Sequence, residues 1–170
     1  GGSDWLDEYD REAIEEMLER GIATFEERLG HRPTAFRAGR WAYSARLLDA
    51  LEAMEFELDS SLRPTEVMAP YQRGSVTEYP LTVYGNAVLR ALLGPFDIDA
   101  VGLHADGFLQ TRRRSVLFRT LTRWLVRYNR NYLMVAYHDY DLVGDELETR
   151  ISEYVAWLRN RASPTTLDRY

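Results

Sequence analysis

The sequence contains no cysteine. That excludes disulfides, a thiolate nucleophile and every zinc site built on thiolates. It says little about compartment. Lysine is missing too, so all 21 basic residues are arginine. Each offers a planar fork of donors that suits carboxylates or sugar hydroxyls. Acids outnumber bases by six, and a domain with net charge −6 is a poor nucleic-acid binder, because phosphate binding relies on cationic neutralisation. No stretch approaches the roughly 18 apolar residues of a membrane span. The opening Gly1-Gly2-Ser3-Asp4 lacks the basic and apolar regions of a signal peptide. The expectation is a chain with no nucleic-acid partner and no membrane partner, for which a cytoplasmic location is favoured. Its oligomeric state stays open. No Pro/Gly/Ser-rich linker, repeat or low-complexity tract divides it. None of the G-x-S-x-G, H-E-x-x-H or glycine-rich phosphate-loop patterns occurs.

What is present suits one globular domain over residues 1–170. A chain of that size buries roughly two thirds of its unfolded surface. Residues 4–29 read as an amphipathic helix, with Ile14, Met17, Leu18, Ile22, Phe25 and Leu29 near helical spacing. Gly30 suits the left-handed residue that ends helices, and Pro33 blocks continuation. Residues 34–39 suit a short strand. Ser44 is placed to cap a helix over 45–54, with Leu47, Leu48 and Leu51 inward. Residues 56–61 alternate as a strand does. Residues 62–75 read as a loop and 76–84 as a strand, with Pro80 arguing for an edge or bulge. A short helix over 86–93 and an unclear segment over 96–108 follow. Residues 112–129 form a helix with Leu117, Leu121, Trp124, Leu125 and Tyr128 on its apolar stripe. A buried strand over 133–137, a helix over 145–161 with Ile151, Tyr154, Val155 and Leu158 inward, and a short strand over 165–168 complete the order.

Strands separated by helices imply parallel pairing, so the fold class is α/β. In such folds functional groups gather at the C-terminal ends of strands. Three strand ends carry polar residues: Arg37 to Trp41, Asp59 to Ser61, and His138 to Asp141. His138 suits general acid–base work, or alternatively a bond to a backbone carbonyl. Arg37 and Arg40 can hold a carboxylate in bidentate fashion, and Trp41 can stack on a sugar face. A structural ion pair beside a packed tryptophan is the plainer alternative. Asp59 and Ser60 either bond a substrate hydroxyl or cap the loop. His31 reads as an exposed turn residue. His104 and Asp106 are two ligands, too few for a metal site.

These pieces, in this order, resemble the polysaccharide deacetylases (the NodB-homology domain, carbohydrate esterase family four). The matching residues are Gly30-His-Arg-Pro33, Phe36-Arg37-Ala-Gly39-Arg-Trp41, residues 47–54 running into Phe56-Glu-Leu-Asp-Ser-Ser-Leu-Arg-Pro64, Tyr137-His138-Asp-Tyr-Asp141, and the closing segment from Trp157 to Asp168. The resemblance implies a partial, distorted (β/α) barrel with mainly parallel strands. It implies metal-dependent hydrolysis of N- or O-acetyl groups on a polysaccharide or oligosaccharide. His138 would protonate the leaving group, and Arg37 would tether the catalytic base. Trp41, Arg40, Asp59, Ser60 and Asp141 would line the sugar groove. The family's paired aspartates and its two metal-binding histidines match nothing in this sequence. The expectation is therefore an N-terminally truncated domain. It would hold no metal of its own, although zinc or another divalent ion is implied for the complete domain, and it would be inactive alone. A non-catalytic carbohydrate-binding or assembly module is the rival expectation. The family also favours glycine at the position of Glu55, so a left-handed Glu55 would cost about 1 kcal/mol.

Overall fold

The computed structural model describes residues 5–64, 69–83, 109, 111–128, 132–136 and 145–163. They divide between two compact units, one built from residues before 64 and from 69 to 80, the other from residues 81 onward together with 64–68.

The first unit opens with a single helical turn at Leu6–Glu8, followed by helix α1 over Arg11–Leu29. The continuous helix expected from residue 4 is thus broken at Tyr9 and Asp10. The cause is local: Asp10 takes an extended backbone, and its carboxylate accepts from the Ala13 amide at 2.9 Å. This satisfies one of the orphan donors of a helix start. Gly30 ends α1 at φ 77°, as its sequence position suggests. Strand β1 is Ala35–Phe36, helix α2 is Ala45–Ala53 and strand β2 is Leu58–Asp59. Ser44 caps α2 by accepting from the Leu47 amide at 3.1 Å.

The exit from α2 is a Schellman turn. The Phe56 amide donates to the Leu51 carbonyl, and the Glu55 amide donates to that of Glu52. Glu55 sits at φ 60°, where a side chain costs roughly 1–2 kcal/mol and glycine nothing. Glycine loses part of that gain to its freer unfolded chain. Replacing Glu55 by Gly is expected to raise stability by about 1 kcal/mol, read as a higher urea midpoint with an unchanged slope.

Strands β3 (Tyr71–Arg73) and β4 (Val76–Glu78) form a hairpin inside and just beyond the expected loop. Gly74, at φ 60°, and Ser75 make its two-residue turn. A glycine followed by serine between two short runs is a hairpin signal. The sheet order is β1-β2-β4-β3, parallel across β1-β2 and β2-β4 and antiparallel across β4-β3. β4 is therefore an inner strand of this sheet. Pro80 lies beyond its last paired residue, where a missing amide costs no ladder bond.

The core of this unit lies between α1, α2 and the sheet. Ile14, Leu18 and Ile22 meet Leu47, Leu48 and Leu51, with Phe56 and Val76 below them. Met17 and Leu29, expected on the same stripe, are exposed.

The second unit contains helices α3 (Arg112–Tyr128) and α4 (Asp145–Arg159). Their core joins Leu109, Phe118, Leu121, Leu125, Ile151 and Tyr154. Val155 is 40% exposed and Trp124 39%, so both leave the expected inner faces. In the expected strand over 133–137, the described residues show a single bridging position, Ala136. Met134 is tied to Thr82 through the Thr82 hydroxyl, which accepts from the Met134 amide at 2.8 Å. The segments expected over 86–93, 96–108 and 165–168 lie outside the described residues.

The described residues thus form a mixed α/β structure with a four-stranded, mostly parallel sheet. None of its described helices is long and apolar enough to cross a membrane.

Candidate functional site

The candidate site of the first unit is built where β1, β2 and β4 end. Parallel pairing brings all three C-terminal ends to one edge of the sheet. Residues 37–41 leave β1, residues 60–62 leave β2, and Tyr79 leaves β4.

Arg37 binds the end of β2. Its Nε donates to the Ser60 carbonyl at 3.1 Å, and its Nη2 donates to Ser60 Oγ at 2.8 Å. The same guanidinium lies 5.2 Å from the centre of the Trp41 ring, within the range of a cation–π contact. Gly39 needs no left-handed backbone, whereas Arg40 (φ 56°) and Trp41 (φ 58°) both adopt it. Two consecutive side-chain-bearing residues in this region are costly, and such strain concentrates at functional sites. Arg40 is exposed, and its guanidinium lies 5.3 Å from the ring of Trp5. Trp41 is half-buried.

Asp59 and Ser60 are buried and engaged internally. Ser60 Oγ donates to the Tyr79 carbonyl at 2.8 Å. Ser61 Oγ donates to Asp59 Oδ1 at 2.6 Å and accepts from the Ala38 amide at 2.8 Å. One hydroxyl thus couples the ends of β1 and β2. Of the expected site residues, the structure gathers Arg37, Arg40, Trp41, Asp59 and Ser60 at one sheet edge. His138 and Asp141 lie outside the described residues, as do His104 and Asp106. His31 is exposed and packs edge-on against Phe25 at 5.3 Å.

Glu78 is the residue that sequence reasoning missed. It pairs with Asp59 across β2-β4 and with Tyr71 across β4-β3. Its side chain is 0% exposed and that of Asp59 is 1% exposed. Glu78 Oε1 accepts from the Leu62 amide at 2.9 Å. Burial, then the hydrogen bond and charge of Asp59, push the Glu78 carboxyl up to about 9. Tyr71, beside the same pair, is raised as well, first by burial and then by its hydroxyl contact with Tyr43. A signal for Glu78 was present. Val76 and Glu78 share one face of a strand of period two, so an acid follows a core valine onto the inner side.

Among the described residues no three His, Cys, Asp or Glu side chains converge as metal ligands. This donor set does not fit a metal.

Comparison with known proteins adds the fold. A crystal structure described as a "putative polysaccharide deacetylase" from Mycobacterium smegmatis matches 90% of this chain with a TM-score of 0.64 and 18% identity. The likeness establishes the fold. The chain spans about half of that structure, 52% of its length. No family model matches the sequence. No curated protein matches it either.

Proposed function

We propose that this chain is the C-terminal part of a polysaccharide-deacetylase-like domain, a partial (β/α) barrel that acts on acetylated carbohydrate. The observation that carries this reading is the mycobacterial fold match over 90% of the chain. The clustering of Arg37, Arg40 and Trp41 at the C-terminal edge of a parallel sheet supports it, because that edge is where such folds bind ligands. Trp41 offers an aromatic ring for a sugar face, with the Arg37 guanidinium 5.2 Å from its centre. Asp59 and Ser60 hold the groove wall from within. His138 is the residue assigned to protonate the leaving amine or alcohol, and Asp141 is assigned to bind the sugar. A divalent ion such as zinc, if the complete domain holds one, would supply the activated water. The 170-residue chain binds the sugar without turning it over.

The test is titration of the purified chain with acetylated oligosaccharides, alongside an acetate-release assay. Trp41→Ala is expected to weaken binding several-fold, on the order of the 1 kcal/mol that aromatic stacking supplies. His138→Ala is expected to leave affinity intact. Absence of any sugar binding sinks the reading. Acetate release by this chain would overturn its inactivity, as would stoichiometric zinc binding that His138→Ala weakens.

A further inference from the structure

We infer that Asp59 and Glu78 form a carboxyl pair holding one proton between them, and that this pair is the positioning element that fixes segment 60–62, and through it Arg37, at the sheet edge. The inference stands whether or not the chain acts on carbohydrate.

The geometry leaves one arrangement. Asp59 and Glu78 are direct partners on adjacent strands, so their side chains rise on the same face of the sheet. Each has one oxygen satisfied by a neutral donor: Ser61 Oγ for Asp59 and the Leu62 amide for Glu78. Each has a second buried oxygen, Asp59 Oδ2 and Glu78 Oε2, with no donor from any neighbour. Two ionised carboxylates here would repel with both second oxygens unsatisfied, a cost that burial magnifies. One proton between those oxygens removes both faults. Direct pairing on adjacent strands sets the two carboxyl groups side by side, and Asp59 raises the Glu78 pKa through hydrogen bonding and charge. Tyr71, the partner of Glu78 on β3, faces the pair from the other side, with the Tyr43 hydroxyl bonded to it. Tyr71 is raised well above the ordinary tyrosine value and stays neutral throughout. Glu78 is therefore the group of this cluster whose proton loss sets the pH dependence.

The consequence reaches Arg37. Bonds from the pair to Ser61 and Leu62 fix both residues that follow Ser60. Ser61 also holds the Ala38 amide, next to Arg37. Arg37 in turn reads the Ser60 carbonyl and hydroxyl. The proton thus closes a ring of contacts running from β4 through β2 to β1.

The pH dependence follows in sign. Below pH 4.5 folded and unfolded chains both carry the proton, and the full stabilisation is present. From 4.5 to about 9 the unfolded chain releases it while the folded chain keeps it. The folded state then loses up to tenfold in its equilibrium constant per pH unit. Above about 9 the folded chain releases it too, and the slope vanishes.

Glutamine mimics the protonated acid. Its amide donates to Asp59 Oδ2, and its carbonyl still accepts from Leu62. Urea unfolding of the full chain from pH 5 to 10 is therefore expected to show Glu78→Gln as stable as the native chain at pH 5. Across pH 5 to 9 it should lack the native slope. Adding Asp59→Asn to Glu78→Gln opposes two amide donors, and is expected to lower the folded fraction roughly tenfold relative to Glu78→Gln alone. Glu78→Gln that keeps the native slope, or that is as damaging at pH 5 as Glu78→Ala, overturns the inference. A second measurement needs no variant. The infrared spectrum of the native chain at pH 7 should contain a protonated-carboxyl stretch that shifts on carbon-13 labelling of glutamate or aspartate. A spectrum without that band overturns the shared proton.

Discussion

Ser61→Ala is expected to destabilise the first unit by roughly 2–4 kcal/mol, although it removes a single oxygen atom. Ser61 is fully buried. Its hydroxyl accepts from the Ala38 amide and donates to Asp59 Oδ1. Alanine leaves a buried donor and a buried acceptor without partners, and each orphan costs about 1–3 kcal/mol. Ser61 is 0% exposed, so bulk water has no open path to the two groups left without partners. Chemical denaturation gives the magnitude. Hydrogen exchange at Ala38 gives the location, since its amide should lose protection before the amides of α1 do. A loss below about 0.5 kcal/mol would mean that water or a shifted strand satisfies both groups, and that the link between β1 and β2 is dispensable.

Phe118→Ala is the counterpart in the second unit, with an expected loss of about 3–5 kcal/mol. Phe118 is 0% exposed and packs at 4.8 Å, ring centre to ring centre, against Tyr154. Tyr154 is itself buried, and its hydroxyl meets that of Thr122 at 3.1 Å. Removing the Phe118 ring opens a void between α3 and α4. Tyr154 cannot tilt into the void without breaking the Thr122 contact, so little of the cavity can close. The loss should appear first as exchange of amides in 112–128 and 145–159. Amides of α1 and α2, whose core draws on different residues, are the internal control. Equal loss of protection in both helix pairs would mean that the two cores unfold as one.

The elements legible in the sequence are those whose signals fit within one turn of chain. Asp10, Gly30, Ser44 and Pro33 carry their conformational preference in their own side chains. The end of α1 and the start of α2 could therefore be placed within a residue. Asp10 also explains why the expected long helix failed. Its carboxylate caps the Ala13 amide, which starts α1 at Arg11 instead of at residue 4. The left-handed Glu55 was likewise legible, through the family pattern that its glycine-favouring position resembles. Parallel pairing followed from the alternation of helices and strands, and the sheet bears it out for β1, β2 and β4.

The site is a different matter. Arg37 and Trp41 were chosen because they follow a strand, and they do lie at the sheet edge. Glycine adopts a left-handed turn most cheaply, and Gly39 stands just after β1. The structure puts that turn at Arg40 and Trp41, where tertiary contacts such as the Trp5 ring over Arg40 outweigh local preference. Asp59 read either as a group bonding a substrate hydroxyl or as a cap of the loop. No local rule could reveal that a second acid, nineteen positions later, would be set directly against it.

By itself the sequence determined the α/β class, the helix caps, the parallel order and the absence of thiol chemistry, because each depends on residue type and near neighbours. Tertiary structure alone decided that Asp59 and Glu78 share a buried face, that Ser61 joins two strands and that Arg37 reads the end of β2. Those facts depend on strand register. A shift of one residue would turn Glu78 out to solvent and Thr77 in, and the energy that selects between the two registers lies in the packed core of α1, α2 and the sheet, far from either residue in sequence.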